Sequence, residues 1–254
     1  MHANASLAEM VTWLDAHLDA ASYRESEPDA NGLLLDTGEP GVTKFAVAVN
    51  TSLATIFGAA KAGAQLLVVH HATWDYIDYH LRDEKLRALK LAGVSLYGAH
   101  ASLDCAPNVG NGWVLADLLG VRVDGAFCDY HGGKAGVIGA CDGAFTDLIQ
   151  RASRELRVQV EAHQHAKTCG RVAIVPGGGG MTNDMDEARR LGADTYVTGE
   201  GSMFTRMFAK ETGMNLILGT HYATESPGIR ALGERLSAEA GIPFEFIDES
   251  PDVF

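Results

Sequence analysis

Three apolar, strand-like runs of the sequence end in histidine, a residue type that ligates metals and transfers protons near neutral pH. The histidine ends are His70 and His71 after Leu66–Val69, His100 after Val94–Ala99, and His221 after Leu216–Thr220. In open α/β sheets, ligand sites gather at the carboxyl ends of the strands. If the three strands are neighbours, the four imidazoles converge on one crevice.

Two of these histidines precede a carboxylate by four residues: His100 precedes Asp104, and His221 precedes Glu225. This spacing places both side chains of a pair on one face if the chain turns helically after the strand. Pro227, which follows Ser226, is typical of a helix start, because proline is favoured at the first helical position. We therefore expect Glu225 to lie beside His221 at the mouth of that helix.

Imidazole and carboxylate donors without thiolates suit Zn, Fe, Mn, Co or Ni. The set is larger than one mononuclear site needs, and carboxylates can bridge two cations. Two divalent metals about 3.5–4 Å apart would activate a water and hold the attacking and leaving oxygens. A single histidine at a strand end is more often a hydrogen-bonded structural residue. The prediction of a metal centre therefore depends on the three patterns occurring together.

Two further features have alternative interpretations. Gly177–Gly180 follows a strand and could hold a phosphate at the N-terminus of the next helix. It lacks the Lys-Ser/Thr of a Walker loop and the spacing of a dinucleotide fingerprint, which favours a plain flexible turn. Glu200 ends a later strand, where it either faces the same crevice or is a solvated loop acid.

Composition limits the class of protein. The chain has 254 residues, of which 46% are hydrophobic and 21% charged, as in ordinary globular proteins. Its net charge of −13 argues against a general affinity for nucleic acid or anionic membranes. No apolar run approaches the roughly 18 residues of a membrane helix, and no secretory signal is visible, so we expect a cytoplasmic protein. The four cysteines lack CxxC spacing, which predicts buried, reduced thiols.

Hydrophobic periodicity predicts alternating strands and helices after a first helix around Leu7–Leu18, which Ser6 and Glu9 cap, and an irregular acidic stretch from Glu25 to Pro40. The predicted strands are Phe45–Val49, Leu66–Val69, Val94–Gly98, Arg171–Val175, Thr195–Thr198, Leu216–Leu218 and Phe244–Ile247. The predicted helices are Leu53–Ala62, Leu81–Leu91, Val114–Leu119, Asp184–Leu191, Met203–Lys210 and Ile229–Ala240.

The alternation predicts an α/β protein with two related α/β lobes, whose mixed, mostly parallel sheets are flanked by helices. A Gly-Ala join before a strand occurs at Gly63-Ala64 and again at Gly192-Ala193, which suggests an internal duplication. We expect one lobe, residues 1–127 plus 214–254, to carry the metal site. Residues 128–213 would form the second, inserted lobe.

Several motifs together resemble the Nif-three-like dinuclear-metal-centre proteins, the GTP cyclohydrolase I type 2 homologues. The similarity spans nearly the whole chain, from Asn31-Gly32-Leu33 to Phe246-Ile247-Asp248. The double histidine and the HYATE segment are specific when taken together, whereas the glycine run alone is not. The segments that carry the resemblance are Leu67–His71, Ser102–Asn108, Gly178–Gly180, Gly192–Glu200 and Gly219–Glu225.

The resemblance implies a ring-shaped homo-hexamer of two-lobed chains with two divalent metal ions per chain. The ligands carried over by position are His70, His71, Asp104, His221 and Glu225, and His100 would lie beside them in the second shell or as a proton shuttle. Two segments depart from the family pattern and alter the pocket wall rather than the ligands. They are Ala72–Asp75, where the family often has an aromatic pair, and His100–Leu103, where His-Thr-Asn-Leu is more familiar.

Three hypotheses about function follow. In the first, the protein is a hydrolase that uses metal-activated water on a small, nucleotide-like molecule, as the cyclohydrolase name implies. Opening a purine ring also needs a pocket that reads guanine, for which the motifs identify no residues. The second hypothesis is a dinuclear phosphoesterase or nucleotidase, and the third is a non-catalytic hexameric module that binds metal or a partner.

Overall fold

The computed structural model describes residues 5–250 of the chain. The chain divides into two compact units, each with its own β-sheet. Unit 1 comprises Met1–Ala106 and Ile229–Phe254, and unit 2 comprises Pro107–Gly228. Unit 2 is an insertion in unit 1 along the chain.

The limits of unit 2 lie outside the residues 128 and 213 expected from the sequence, because two strands extend its sheet. Strand β5, Arg122–Tyr130, pairs with β6, Gly133–Ala144, so a limit at 127 would cut through a hairpin. Strand β10, Asn215–Leu218, pairs in parallel with β9, Thr195–Thr198, and therefore belongs to unit 2.

The sheet of unit 1 has five strands in the order β1-β4-β3-β2-β11, all parallel to their neighbours except β1. Its inner strands β2 and β3 are buried apolar runs, as expected for parallel strands covered on both faces. The strands are β1 (Asn31–Leu35), β2 (Phe45–Asn50), β3 (Leu66–His71), β4 (Ser95–Ala99) and β11 (Phe244–Phe246). The helices are α1 (Leu7–Leu18), α2 (Ala20–Arg24), α3 (Leu53–Ala62), α4 (Asp75–Asp78), α5 (Leu81–Ala92) and α6 (Ala101–Asp104).

Strand β1 corrects the prediction of an irregular stretch from Glu25 to Pro40. It pairs antiparallel with β4 at the edge of the sheet, from Asn31 opposite Ala99 onwards. The turn residues Pro28 and Gly38 bracket only five strand residues, so the sequence pattern of the turns hid the short strand between them.

The sheet of unit 2 has six strands in the order β5-β6-β8-β9-β10-β7, with two parallel and three antiparallel pairs. Together with the first sheet, it confirms an α/β fold with mixed sheets flanked by helices. The strands not yet given are β7 (Glu161–His163) and β8 (Thr168–Val175). The helices are α7 (Asn111–Leu118), α8 (Phe145–Leu156), α9 (Thr182–Arg190) and α10 (Met203–Thr212), while α11 (His221–Ala240) continues into unit 1.

The predicted Gly-Ala join occurs in both units with the same geometry. Gly63 ends α3 in the left-handed conformation, and the amide of Ala64 donates to the carbonyl of Ala59 (3.0 Å). Gly192 follows α9 with φ +87°, and the amide of Ala193 donates to the carbonyl of Ala188 (3.0 Å). Each join turns the chain from a helix into a strand, which glycine at positive φ permits without strain.

The four cysteines are buried thiols, as predicted. In the part of the chain that the structure describes, no helix combines the length and apolarity needed to cross a membrane.

Candidate metal centre

Three of the predicted site histidines come together in unit 1. Strands β3 and β4 are parallel neighbours, so their carboxyl ends lie at the same edge of the sheet. His70 and His71 are the last residues of β3, and His100 directly follows β4. One donor atom from each of these three residues lies within 4.8 Å of the others. The expected convergence of imidazoles is therefore found for this pair of strands.

His70 is completely buried, and its two ring nitrogens have different surroundings. Nδ1 lies 2.8 Å from the carbonyl oxygen of Ala99, which can only accept, so Nδ1 carries the hydrogen. Nε2 faces Oδ1 of Asp104 at 3.6 Å. The ring therefore presents Nε2 to Asp104, the carboxylate that the sequence spacing pairs with His100.

His71 is oriented in the same way by an amide. Its Nδ1 lies 2.7 Å from Oδ1 of Asn50. The orientation of that amide is set by Glu249, which accepts from the backbone nitrogen and from Nδ2 of Asn50 (3.0 and 3.1 Å). Nδ1 of His71 therefore donates, which makes Nε2 the nitrogen that could ligate a metal.

His100 is held by Glu27, a residue that the motifs did not identify. Nδ1 of His100 donates to both carboxylate oxygens of Glu27, at 2.9 and 3.0 Å. Glu27 also accepts from the backbone amide of Ala101 (3.3 Å) and from Nδ2 of Asn31 (3.1 Å). Because Oδ1 of Asn31 accepts from the amide of Ser102 (3.0 Å), the start of α6 is tied to the same carboxylate.

No sequence spacing indicates the contact of Glu27 with His100, because 73 residues separate them. Glu27 lies in the acidic stretch that the sequence analysis treated as irregular. No sequence signal identifies it, because the burial of Asn31, which links Glu27 to the amide of Ser102, is visible only in the structure.

Trp74 forms an aromatic wall beside this cluster. Its ring centroid lies 5.2 Å from that of His100, in an edge-to-face arrangement, and 5.9 Å from that of His71. Trp74 belongs to the segment that departs from the family pattern, so the structure gives an aromatic residue to the wall despite the different order.

The other two predicted ligands lie in unit 2. His221 and Glu225 occupy the first turns of α11, and Nε2 of His221 lies 3.1 Å from Oε1 of Glu225. Thr220, just before the helix, has φ +67°, and its Oγ1 accepts from the amide of Ala223 (3.2 Å). The spacing of four residues thus brings the pair together on one helical face, as predicted.

The predicted helix start at Ser226 and Pro227 is wrong, because α11 begins at His221 and contains Pro227. A proline inside a helix leaves the carbonyl four residues earlier without its usual donor. Here that carbonyl belongs to Ala223 and accepts from Oγ of Ser226 at 3.4 Å. The serine hydroxyl thereby replaces the missing backbone donor, and the helix continues.

Glu200 lies against His221. Its Oε1 accepts from Nδ1 of His221 at 3.0 Å, and its side chain is 62% exposed, so Glu200 is a solvated acid that also contacts His221. Burial lowers the pKa of His221, but the hydrogen bonds and charges of Glu225 and Glu200 outweigh this effect and raise its pKa to about 9. His221 is therefore a cation near neutral pH when no metal competes for Nε2.

The glycine run packs closely against these residues. Gly177 has φ +62°, and a Cβ on it would overlap Oε1 of Glu225 and lie 2.9 Å from Nε2 of His221. Its amide donates to Oγ1 of Thr224 (3.0 Å), and its carbonyl accepts from the amide of Glu200 (2.9 Å). Because these hydrogen bonds fix the backbone, the run is a close-packed support for α11 rather than a flexible turn.

Strand β10, which precedes His221, belongs to the six-stranded sheet of unit 2. The condition that all three histidine-ending strands are neighbours is therefore not met. The sequence could not show this, because each run is apolar and of similar length, and pairing between strands depends on contacts distant in the chain.

Both histidine–carboxylate pairs fit a divalent cation. A neutral Nε2 and a carboxylate oxygen both present lone pairs, so a proton or a cation must lie between them. Atoms that ligate one metal ion at about 2.0–2.2 Å, with roughly 90–120° between the bonds, lie roughly 3–3.7 Å apart. The separations are 3.6 Å for His70 with Asp104 and 3.1 Å for His221 with Glu225. The chain therefore has two sets of imidazole and carboxylate donors that can hold metal.

Comparison with known proteins finds relatives over nearly the whole chain. A GTP cyclohydrolase 1 type 2 homolog from Deinococcus radiodurans is 34% identical over 255 residues, which cover 94% of this chain and 92% of the relative. One from Pyrococcus horikoshii is 35% identical over 247 residues, or 94% of this chain and 96% of the relative.

Solved structures agree with this relationship. The structure of protein ybgI, of unknown function, matches with a TM-score of 0.85 and 29% identity over 96% of this chain and 98% of that chain. The crystal structure of TTHA1606 from Thermus thermophilus matches with a TM-score of 0.82 and 30% identity over 96% and 98%. The family model Duf34/NIF3 (NGG1p interacting factor 3) matches residues 5–252, and the chain belongs to this family.

Proposed function

We propose that this chain binds two divalent metal ions and hydrolyses a small, nucleotide-like molecule. The proposed ligands are His70, His71 and Asp104 in unit 1, and His221 and Glu225 in unit 2. The names of the curated relatives support the cyclohydrolase direction of this proposal. When bound, paired divalent cations lower the pKa of a coordinated water and stabilise developing negative charge.

One observation carries the proposal: each of the four histidines has an acceptor at Nδ1, which leaves Nε2 for ligation or proton transfer. Metal-binding histidines in proteins are oriented in this way, by a carboxylate or a carbonyl on the other nitrogen. The acceptors are the carbonyl of Ala99, Asn50, Glu27 and Glu200 for His70, His71, His100 and His221, respectively.

The side chains have separate roles in this proposal. Asp104 and Glu225 supply the negative charge that holds the cations, and His70, His71 and His221 complete their coordination. His100 holds or transfers a proton at Nε2, because Glu27 keeps the hydrogen on Nδ1. A carboxylate on Nδ1 also fixes the orientation of the ring, which suits a residue that transfers a proton at Nε2.

Metal analysis of purified variants tests the ligand assignment. We expect about two metal ions per chain in the unaltered protein and a clear loss in His70→Ala and Glu225→Ala. His165→Ala is the matched control, because His165 is exposed and lies outside both donor sets. Full metal content in both ligand variants would refute the assignment.

Incubation with a panel of nucleotides and several metals tests the reaction. An opened purine ring supports the cyclohydrolase proposal. Release of phosphate would instead indicate a phosphoesterase, and a metal-loaded protein without turnover would indicate a binding module.

The proposal includes a homo-hexamer in the cytoplasm. Exposed apolar side chains on α10 support self-association, since an extended exposed apolar patch is typical of an interaction surface. Phe204 and Met203 are each 63% exposed. Buried thiols suit a reducing compartment. Size-exclusion chromatography with light scattering should give a mass six times that of one chain. The Phe204→Glu variant should give assemblies of lower mass.

A further inference from the structure

The segment after the double histidine places an indole beside the imidazoles. Trp74 lies edge to face with His100, at 5.2 Å between ring centroids, and 5.9 Å from His71. Trp74 is only partly buried. A large aromatic ring beside a polar cluster, with part of its surface open, is placed to contact a ligand of that cluster.

Hydrogen bonds and an ion pair fix this segment. The carboxylate of Asp78 accepts from the backbone amide of Trp74 (3.1 Å) and pairs with Nζ of Lys85 (2.5 Å). Asp78 is buried, which strengthens these interactions. The indole therefore stands on a fixed backbone, and a ligand that stacks on it would not have to order the loop.

The aromatic surface continues outwards from Trp74. The ring of Tyr76 lies 6.3 Å from that of Trp74, with 38° between the ring planes, and Tyr76 is 70% exposed. Ile77 follows at 56% exposure. The two neighbouring rings extend from the imidazoles to the solvent. Their faces suit a flat molecule better than a flexible, chain-like one.

The charges around this surface do not favour a phosphate. Arg82 lies 3.5 Å from Asp75 and 3.7 Å from Asp29. Lys85 pairs with Asp78, so the charges of both cations are offset. An anionic group would face the carboxylates of Asp75 and Asp29. A neutral aromatic ring meets no such repulsion and gains from stacking.

We propose that Trp74 and Tyr76 form a stacking platform for the purine base of the substrate. This inference rests on the proposed function in that it supplies the base-recognising surface that a hydrolase of nucleotide-like molecules requires. The platform holds the ring beside the imidazoles of His71 and His100, where water attack would occur. Stacking accepts any purine, so Trp74 selects a flat bicyclic ring rather than one particular base.

Trp74 fluorescence provides a test that needs neither metal nor turnover. In a Trp13→Phe, Trp113→Phe background, Trp74 is the remaining tryptophan of the three in the chain. Chelator-treated protein is titrated with guanosine and adenosine, and separately with ribose 5-phosphate. We expect both nucleosides to quench the emission saturably and the sugar phosphate to leave it unchanged.

Variants test the platform by equilibrium dialysis of guanosine. Trp74→Ala should weaken binding by about 10- to 100-fold, the range for loss of one stacked base, while Trp74→Phe should retain most of the affinity. Tyr79→Ala is the matched control, because Tyr79 is 71% exposed in the same segment but is not part of the ring pair. Circular dichroism checks that each variant is folded.

Three outcomes would overturn the proposal: no saturable quenching by either nucleoside, equal quenching by ribose 5-phosphate, or unchanged guanosine binding in Trp74→Ala. If the emission of Trp74 changes with protein concentration and not with nucleoside concentration, the surface of Trp74 and Tyr76 is a contact between copies of the chain. Loss of the metal-site proposal leaves this test unaffected, since nucleoside binding is measured without metal. Conversely, a normal metal content with no nucleoside binding would reject the platform alone.

Discussion

The carboxylate of Glu27 holds the imidazole of His100 through both oxygens, at 2.9 and 3.0 Å from Nδ1, across 73 residues of sequence. The same carboxylate accepts from the amide of Ala101 and from Asn31. One side chain of a loop thus determines the tautomer of the imidazole and the entry of the chain into α6.

Glu27→Ala should destabilise the protein, because it leaves partly buried donors without their acceptor. We expect a loss of about 1–3 kcal/mol in the free energy of unfolding, measured by urea denaturation. Glu27→Gln should recover part of this lost free energy, because the carbonyl oxygen of its amide can still accept a hydrogen bond. Glu25→Ala, at an exposed position of the same stretch, should change little, and an equal loss there would contradict the role of Glu27.

Glu200→Ala should weaken metal binding without removing a ligand. The carboxylate orients His221 through Nδ1, and loss of such a partner typically costs 10- to 100-fold in metal affinity. Titration with zinc against a competing chelator measures the effect. Glu211→Ala, an exposed acid of α10, controls for the change in net charge. Identical affinities for the two variants would show that the contact with His221 is without effect.

Gly177→Ala and Gly178→Ala form a matched pair. A Cβ at Gly177 would overlap Glu225 at a φ of +62°, whereas a Cβ at Gly178 would have Cε1 of His221 as its nearest neighbour at 3.8 Å, an ordinary contact. Gly177→Ala should therefore lower the melting temperature and the metal content, and Gly178→Ala should lower neither. Comparable losses in both variants would contradict the close packing.

The protonation of His221 makes the stability of the metal-free protein depend on pH. Its folded pKa, about 9, lies above its ordinary value of 6.5 because of Glu225 and Glu200, despite the opposing effect of burial. The stabilisation is fully present below pH 6.5 and is lost as pH rises through 9. NMR titration of the His221 ring checks the pKa. In Glu225→Gln the midpoint should fall, because that variant removes a charged partner, and an unchanged midpoint would contradict this assignment.

The sequence predicted the local features of the fold and of the site well. Helix α3 has the predicted bounds, Leu53–Ala62. Ser52 caps its start and Gly63 ends it, and both residues are adjacent to the helix in the sequence. The pair of His221 and Glu225 also follows from spacing alone. Periodicity and caps act over a few residues, so a sequence shows them directly.

The partners of the histidines could not be predicted, because they come from distant segments. Asn50 reaches His71 from the next strand, and Glu27 reaches His100 from a loop. The hairpin of β5 and β6 was missed as well, since its glycine-rich strands lack an apolar alternation. Gly136 packs against the side chains of Phe127 and Val175, and Gly139 lies against the backbone of Arg122. These contacts depend on strand register and on burial, which a local sequence pattern does not show.

The backbone beneath His221 and Glu225 has a consequence for how this protein can diversify. A Cβ at Gly199 would lie 2.6 Å from the carbonyl oxygen of Gly177 and 2.8 Å from Cα of His221, so neither glycine leaves room for a side chain. Genetic drift and laboratory evolution can therefore introduce almost no tolerated substitutions at these two positions. New specificities must arise where the surface is open, as at Tyr76, and not at the backbone that packs against His221 and Glu225.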